Sequence, residues 1–346
     1  MPGKLLKIFY PSSVLHNSPP VNEAIKDTVL FKDNALIRFP QSGLFLLKRV
    51  FVTDLGIIYK YFFSLKENII CYNSDFKNYR FRYLLKSFLT FKKQSCSAGK
   101  YLIIFDNYSG PNGFAHWVSD GLTRLAEMND SLEEYTLVVP AYFKGDNFYA
   151  ESLKLFKVSA IHYLPQNSIT FFKELYYPTH IGETGNFHPD NVQKLRNIVD
   201  AKVPADATTP KNIYISRGKA KKRFVLNENE VVTALGAYHF ETIFLEDYGF
   251  AEQIRIIKNA GNIVSIHGAA LSMILFANTG ANIMELRSDK DAVNNMYYLL
   301  ASVCHLNYYY VGCVQNKKPG AGNDFDLLVP IPELEKQVEQ MLKTTR

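Results

Sequence analysis

The sequence predicts an α/β fold made of two Rossmann-like domains facing each other across a cleft, and three observations carry that expectation. Between Asn212 and Val311, short β-branched runs alternate with amphipathic helical runs, the pattern of a parallel sheet covered on both faces. Between Tyr101 and Leu164 a second alternation of the same kind runs independently. The chain has 346 residues, more than one ordinary core absorbs, so two domains of about 150 residues each are expected.

Residues 1–95 read as an irregular lead-in, punctuated by Pro11, Pro19, Pro20 and Pro40, and then a hairpin whose two strands carry Phe45 with Leu47 and Val50 with Val52. Residues 73–98 are rich in Lys, Arg, Tyr and Phe; they read either as a basic aromatic surface for an acceptor or a membrane, or as a solvated helix face. Tyr101 to Phe105 is a buried strand leading into the turn residues Asp106 to Gly113, followed by a helix from Phe114 to Asn129. Thr136 to Val139 is a strand, Asn147 to Phe156 a helix and Ala160 to Leu164 a strand. Thr170 to Ile181 reads as extended chain leading to a linker, and Asp190 to Asp200 as a helix.

The second series opens with the strand Asn212 to Ser216. A helix follows, with Asn227 as cap and Glu230 completing a capping box. Next come the strand Glu241 to Leu245, the helix Phe250 to Asn259, the strand Asn262 to Ile266 and a helix reaching Ala277. The strand Asn282 to Leu286, the helix Ala292 to Cys304 and the strand Asn307 to Val311 close it. The first domain is expected over 1–205, the second over 206–330, and a C-terminal helix in 331–346 is expected to cross back onto the first.

Composition bounds the function. Hydrophobic content of 47% with 21% charged residues is that of a globular protein. A net charge of +6 suits a phosphorylated ligand or an anionic membrane face, and lacks the dense basic runs of a nucleic-acid binder. Cys71, Cys96, Cys304 and Cys313 match no metal-ligand spacing and read as reduced thiols. With no signal-like N-terminus and no uncharged apolar run of membrane-spanning length, a cytoplasmic protein is expected, with peripheral association at the inner face of the membrane. The 22 Tyr and 25 Phe suit either stacking on sugar rings or filling a core.

Two regions carry candidate chemistry. His116, Asp120 and Arg124 stand at i, i+4 and i+8, on one helix face beside Trp117, the only Trp. This placement suits acid/base work, or alternatively an exposed helix with an Asp–Arg pair and a His packed on Trp117. In the second series Arg217, at the end of a strand, begins a run with Lys219, Lys221, Lys222 and Arg223 that can neutralise a pyrophosphate. The His267-Gly268-Ala269-Ala270 turn lets backbone approach an anion at the start of a helix. Glu285, at a strand end, is placed to accept hydrogen bonds from ribose hydroxyls. Asp289-Lys290-Asp291 and Asp324-Phe325-Asp326 have Asp-x-Asp spacing and read as chance matches, because cations and helix N-termini can serve the leaving diphosphate without a divalent ion.

The pattern Asn112-x-x-x-His116-x-x-x-Asp120, then Ser216-Arg217, Leu245-Glu246-Asp247 with Phe250-Ala251-Glu252, His267-Gly268-Ala269 and Glu285-Leu286 resembles glycosyltransferase family 61 over about residues 100–290. That family includes plant xylan xylosyltransferases and animal O-linked N-acetylglucosaminyltransferases. The resemblance implies a GT-B fold and an inverting, metal-independent enzyme with no cofactor beyond its nucleotide-sugar donor, a UDP-sugar such as UDP-xylose or UDP-GlcNAc. It implies a first domain on the acceptor side and a second that binds the donor. Asp120, assisted by His116, would be the base, and Asn112, Arg217, Lys222, Arg223, His267, Gly268, Ala269 and Glu285 would bind substrate. The acceptor would be a glycan or glycolipid in surface polysaccharide synthesis. A retaining GT-B transferase with another donor and a non-catalytic nucleotide- or glycan-binding module are the alternatives.

Overall fold

A computed structural model describes residues 3–24, 27–61, 63–65, 81–111, 113–145, 147–204, 212–291, 294–316 and 325–344. They fall into two compact units, one of Met1–Val14 with Arg38–Thr184 and one of Leu15–Ile37 with Gly185–Arg346.

The sheet of the first unit is half parallel and half antiparallel. Its strands run in the order Ala160–Leu164, Thr136–Pro140, Tyr101–Ile103, Ser168–Pro178, Ser42–Thr53, Ile58–Lys60 and Phe63–Ser64. The neighbours from Ala160–Leu164 to Ser168–Pro178 are parallel, as is Lys92–Cys96 beside Ser168–Pro178. Beyond that point, pairing through Ser42–Thr53 is antiparallel, including Lys4–Tyr10 along its edge. The Rossmann-like alternation is therefore confined to one half. Two expectations change here. Ser42–Thr53 is one twelve-residue strand rather than two, with its hairpin turn at Gly56, whose φ of +78° an L side chain rarely adopts. Ser168–Pro178, expected as extended chain toward a linker, is the strand that joins the two halves.

The second unit has the order Glu241–Ile243, Asn212–Ile215, Asn262–Ile266, Asn282–Ser288, Asn307–Asn316 and Asp326–Leu328. All neighbours are parallel until the last pair, which is antiparallel. Strand order reverses between Asn212–Ile215 and Asn262–Ile266, and ligands of open α/β sheets bind at the carboxyl ends of such strands. Four strands begin with an asparagine for a reason. Asn212, Asn262, Asn282 and Asn307 pair in register. Asn307 Nδ2 donates to Asn282 Oδ1 (2.9 Å), Asn282 to Asn262 (2.8 Å) and Asn262 to Asn212 (2.8 Å), a side-chain ladder along the amino edge of the sheet.

The unit boundary falls at 184/185 rather than 205/206 because the helix Pro189–Asp200 is tied into the second unit. Arg196 Nη2 donates to the Ala277 carbonyl (2.7 Å), and Lys258 joins Asp200 (2.8 Å) to the Val203 carbonyl (2.7 Å). Residues 15–37 join it as well: Val21 N donates to Tyr308 O (2.9 Å), and Asn22 bonds both the carbonyl and the N–H of Tyr310 (2.8 and 3.2 Å). The C-terminal helix Ile331–Thr344, expected to cross back, buries Leu334, Val338 and Met341 in the second unit's own core with Tyr214, Val264, Met284 and Tyr309. Asn227 does not act through a capping side chain. Its amide is engaged with the N–H and carbonyl of Val329 (3.0 and 2.9 Å), which fixes the Glu228–Ala237 helix to the segment before the C-terminal helix. Among the described residues no helix is long and apolar enough to cross a membrane, and Cys96, Cys304 and Cys313 are buried free thiols.

Candidate functional site

In the second unit, Arg217 follows the first strand and Gly268 the third, so the reversal of strand order brings them together. A Cβ at Gly268 would lie 2.4 Å from Arg217 Nη1, which means that the guanidinium occupies the space a side chain would fill. Gly268 has extended backbone (φ 169°), so glycine serves closeness here rather than an unusual turn. Arg217 Nη2 donates to the Lys222 carbonyl (3.1 Å), folding the basic loop onto itself. The Nε atoms of Arg217 and Arg223 are buried without a hydrogen-bond partner among the described residues. Burial, and then the nearby charge of Arg223, push the Arg217 pKa down, while Tyr297 and Glu246 act the other way. Lys219 is satisfied by Asp247 (2.5 Å) and Lys222 is exposed. The corner carries positive charge in excess of its partners, and an anion would correct that.

Beside it, His267 follows the Asn262–Ile266 strand, and Ala269 opens the 3₁₀ helix Ala269–Phe276, where a helix reaching Ala277 was expected. His267 Nδ1 is bonded to Glu285, and Asn294 Nδ2 lies 3.1 Å from Nε2. Glu285 departs from its expected role. Its strand continues to Ser288, so it sits inside the sheet, completely buried. One carboxylate oxygen is held by His267 and the other accepts from Tyr308 Oη (2.5 Å). Burial would raise its pKa, but the charge and hydrogen bond of His267, helped by Arg287 and Tyr308, bring it below the ordinary value. Glu285 orients His267 and has no free oxygen for a ribose.

In the first unit, the helix from Phe114 to Met128 contains a π turn at Trp117–Gly121, a local widening often found where function needs it. His116 Nδ1 lies 3.3 Å from Asp120 Oδ2 and 3.3 Å from Thr184 Oγ1, and Thr184 donates to the same Asp120 oxygen at 2.7 Å. His116 packs against Tyr108 at a tilt of 51° (4.9 Å between ring centroids), while Trp117 turns away into the core and donates to Ser152 (2.8 Å). Arg124 does not pair with the Asp120 carboxylate. Its Nε donates to the Asp120 carbonyl (2.9 Å), and its Nη2 reaches Asp106 (2.8 Å).

Asp106 is the buried anchor of this cluster. It accepts from Arg124, from His180 Nε2 (3.0 Å), from the N–H groups of Tyr108 and Ser109 (both 3.0 Å) and from Ser109 Oγ (3.1 Å). Burial alone would raise its pKa; the His180 hydrogen bond and the Arg124 charge hold it well below the usual carboxylate range. His116 moves the other way, since the Asp120 hydrogen bond and charge raise its pKa against burial. Asp106, His180 and Thr184 were not among the expected site residues. The one available signal is Asp106, an acid at the carboxyl end of an apolar strand run. Asn112 and Asp324 lie outside the described residues.

Residues 114–284 match the family model described as Glycosyltransferase 61. Over that stretch, just under half of the chain, the sequence is similar to glycosyltransferase family 61. The chain is 42% identical over 72 residues to protein O-linked-mannose beta-1,4-N-acetylglucosaminyltransferase 2 of Homo sapiens, a match covering 20% of this chain and 12% of the relative. It is 34% identical over 116 residues to the protein of the same name from Takifugu rubripes, covering 31% of this chain and 19% of the relative. Each match spans less than a fifth of the relative's length. The family-61 stretch contains His116, Asp120, Thr184, Arg217, Arg223, His267 and Gly268, and ends one residue before Glu285.

Proposed function

We propose that this chain is an inverting, metal-independent GT-B glycosyltransferase that moves a sugar from a UDP-sugar to a hydroxyl of a glycan or glycolipid in surface polysaccharide synthesis. The observation that carries the reading is the corner where Arg217 lies over Gly268 beside His267, at the reversal of strand order in the second unit. As the bond from the anomeric carbon to the diphosphate breaks, negative charge grows on the leaving oxygen. Arg217, Arg223 and the N–H groups opening Ala269–Phe276 are the groups that would take it up. In an inverting transfer the acceptor oxygen bonds the anomeric carbon as the diphosphate leaves, and its proton passes to a base, for which the His116–Asp120 pair is the candidate. The names of the relatives favour N-acetylglucosamine over xylose as the transferred sugar.

Calorimetry with UDP, UDP-GlcNAc, UDP-xylose, GDP and CMP tests the donor, with UDP compounds expected to bind and Arg217→Ala to weaken them. Proton NMR of the product reads the anomeric configuration. Absence of UDP-sugar binding, or a product that retains the donor's configuration, overturns the reading.

A further inference from the structure

We propose that the proton acceptor of this reaction is His116 Nε2 rather than Asp120, and that Thr184 is a positioning residue that fixes the tautomer making it so. The proposal rests on the glycosyl-transfer reading for its chemistry but not for its geometry. Thr184 has one hydroxyl proton, and at 2.7 Å that proton is committed to Asp120 Oδ2. The two atoms near His116 Nδ1, Asp120 Oδ2 and Thr184 Oγ1 at 3.3 Å each, are then both acceptors. Nδ1 must therefore carry the hydrogen, which leaves the lone pair of the neutral ring on Nε2. Asp120 Oδ2 already accepts from two donors, whereas the imidazole keeps 30% of its side-chain surface exposed against 9% for Asp120. The less enclosed group is the one an acceptor hydroxyl can reach.

The surroundings make the arrangement rigid. The Asp120 carbonyl accepts from Arg124 Nε (2.9 Å) and the Ser119 carbonyl from Thr123 Oγ1 (2.7 Å), so the π turn that carries the carboxylate is gripped from below. Arg124 is itself held by buried Asp106, which His180 also engages. The charged and titratable groups facing His116 are Asp120 and, further off, Asp106, whose charge is offset by Arg124 and His180; the Tyr108 ring packs against the imidazole at a tilt. Both carboxylates favour the protonated ring, so His116 is a stronger base than a free imidazole and becomes available only above its raised pKa.

The direct test is long-range proton–nitrogen NMR on protein labelled with ¹⁵N-histidine, in which His116→Gln assigns one of the eight histidines. In neutral His116 the hydrogen is expected on Nδ1, and in Thr184→Val that preference is expected to weaken. A neutral ring carrying its hydrogen on Nε2 overturns the proposal, and this readout does not depend on sugar transfer. In turnover, His116→Gln is expected to lose ~10²–10⁴-fold with UDP affinity unchanged. Asp120→Asn is expected to keep residual activity with the acid limb of its pH profile moved to lower pH, because the carboxylate that raises His116 is gone. Thr184→Val should lose roughly 3–10-fold, the value of one hydrogen bond, with Thr184→Ser restoring it. Normal turnover in His116→Gln beside a dead Asp120→Asn would assign the base to Asp120 and sink the proposal. Wild-type protein that binds no UDP-sugar defeats the glycosyltransferase reading instead, and leaves the NMR result standing.

Discussion

The two units hold their charged residues in opposite ways. In the first, the buried Asp106 carboxylate accepts five hydrogen bonds and has a guanidinium at 2.8 Å. In the second, Arg217 and Arg223 crowd one corner with buried Nε atoms that bond nothing among the described residues. Asp106 fixes the geometry of its cluster, in which Arg124 Nη1 also lacks a hydrogen-bond partner among the described residues, whereas the Arg217–Arg223 corner carries positive charge that an anion would offset. The difference implies that substitutions at Asp106 will be read mainly in stability and those at the Arg217 corner mainly in affinity.

The largest expected effect is at Asp106. Asp106→Ala strands the wholly buried Arg124 and should cost about 3–5 kcal/mol in urea unfolding, while folded protein keeps its UDP affinity. A loss below about 1 kcal/mol would erase the contrast. Arg217→Ala is the counterpart: UDP affinity should fall by roughly one to two orders of magnitude, the loss of a charge-assisted contact, with the unfolding midpoint nearly unmoved.

Two glycines sharpen the comparison. At Gly121 a Cβ would lie 2.4 Å from the ring of Trp117, which is buried between Phe143 and Tyr149 and cannot retreat. Gly121→Ala should therefore destabilise by about 1–3 kcal/mol. At Gly268 the obstructing atom is the end of a flexible arginine. Gly268→Ala should leave the fold intact and weaken UDP by displacing Arg217, and an unfolding penalty as large as that at Gly121 would show the two corners to be equally rigid.

Acid titration is a smaller effect and touches both units. Asp106 and Glu285 have pKa values lowered by folding, so the stability they supply is present above their unfolded values, about 4. It is lost as pH falls through the folded values, because the unfolded chain then binds more protons. His116 is raised by folding; its contribution is complete below about 6.5 and disappears as pH rises through the folded value. Urea midpoints from pH 3 to 8 should thus fall on the acid side, and Asp120→Asn should remove the decline on the neutral side. EDTA should leave turnover unchanged; metal-reversible loss of all turnover would move the leaving-group chemistry away from the Arg217 corner.

How much of this was legible in the sequence follows from how locally each feature is encoded. The second sheet was readable because each parallel strand is a short apolar run bounded by its own helix, and Arg217 and His267 stand where those runs stop. Glu285 misled because its strand runs on through Arg287 and Ser288, polar residues that look like a loop. They are tolerated inside because Arg287 bonds Tyr308 and the Asp291 carbonyl. Ser168–Pro178 was readable as extended but not as central, since its partners Tyr101–Ile103 and Ser42–Thr53 lie far off in sequence. Thr184 meets the His116 helix across up to 68 residues and His180 meets Asp106 across 74, and the π turn adds no residue type that announces it.

The asparagines at the amino edge of the second sheet have a consequence for assembly. Parallel strands pair across long stretches of intervening chain, which makes their pairing slow, and a strand that docks one residue out of place turns its core face outward. With Asn212, Asn262, Asn282 and Asn307 level, such a slip also removes an amide from its neighbours, two bonds at once for an inner strand. The row marks the register: misaligned pairings are disfavoured, and the loops at the opposite edge, with Arg217 and His267, are held level.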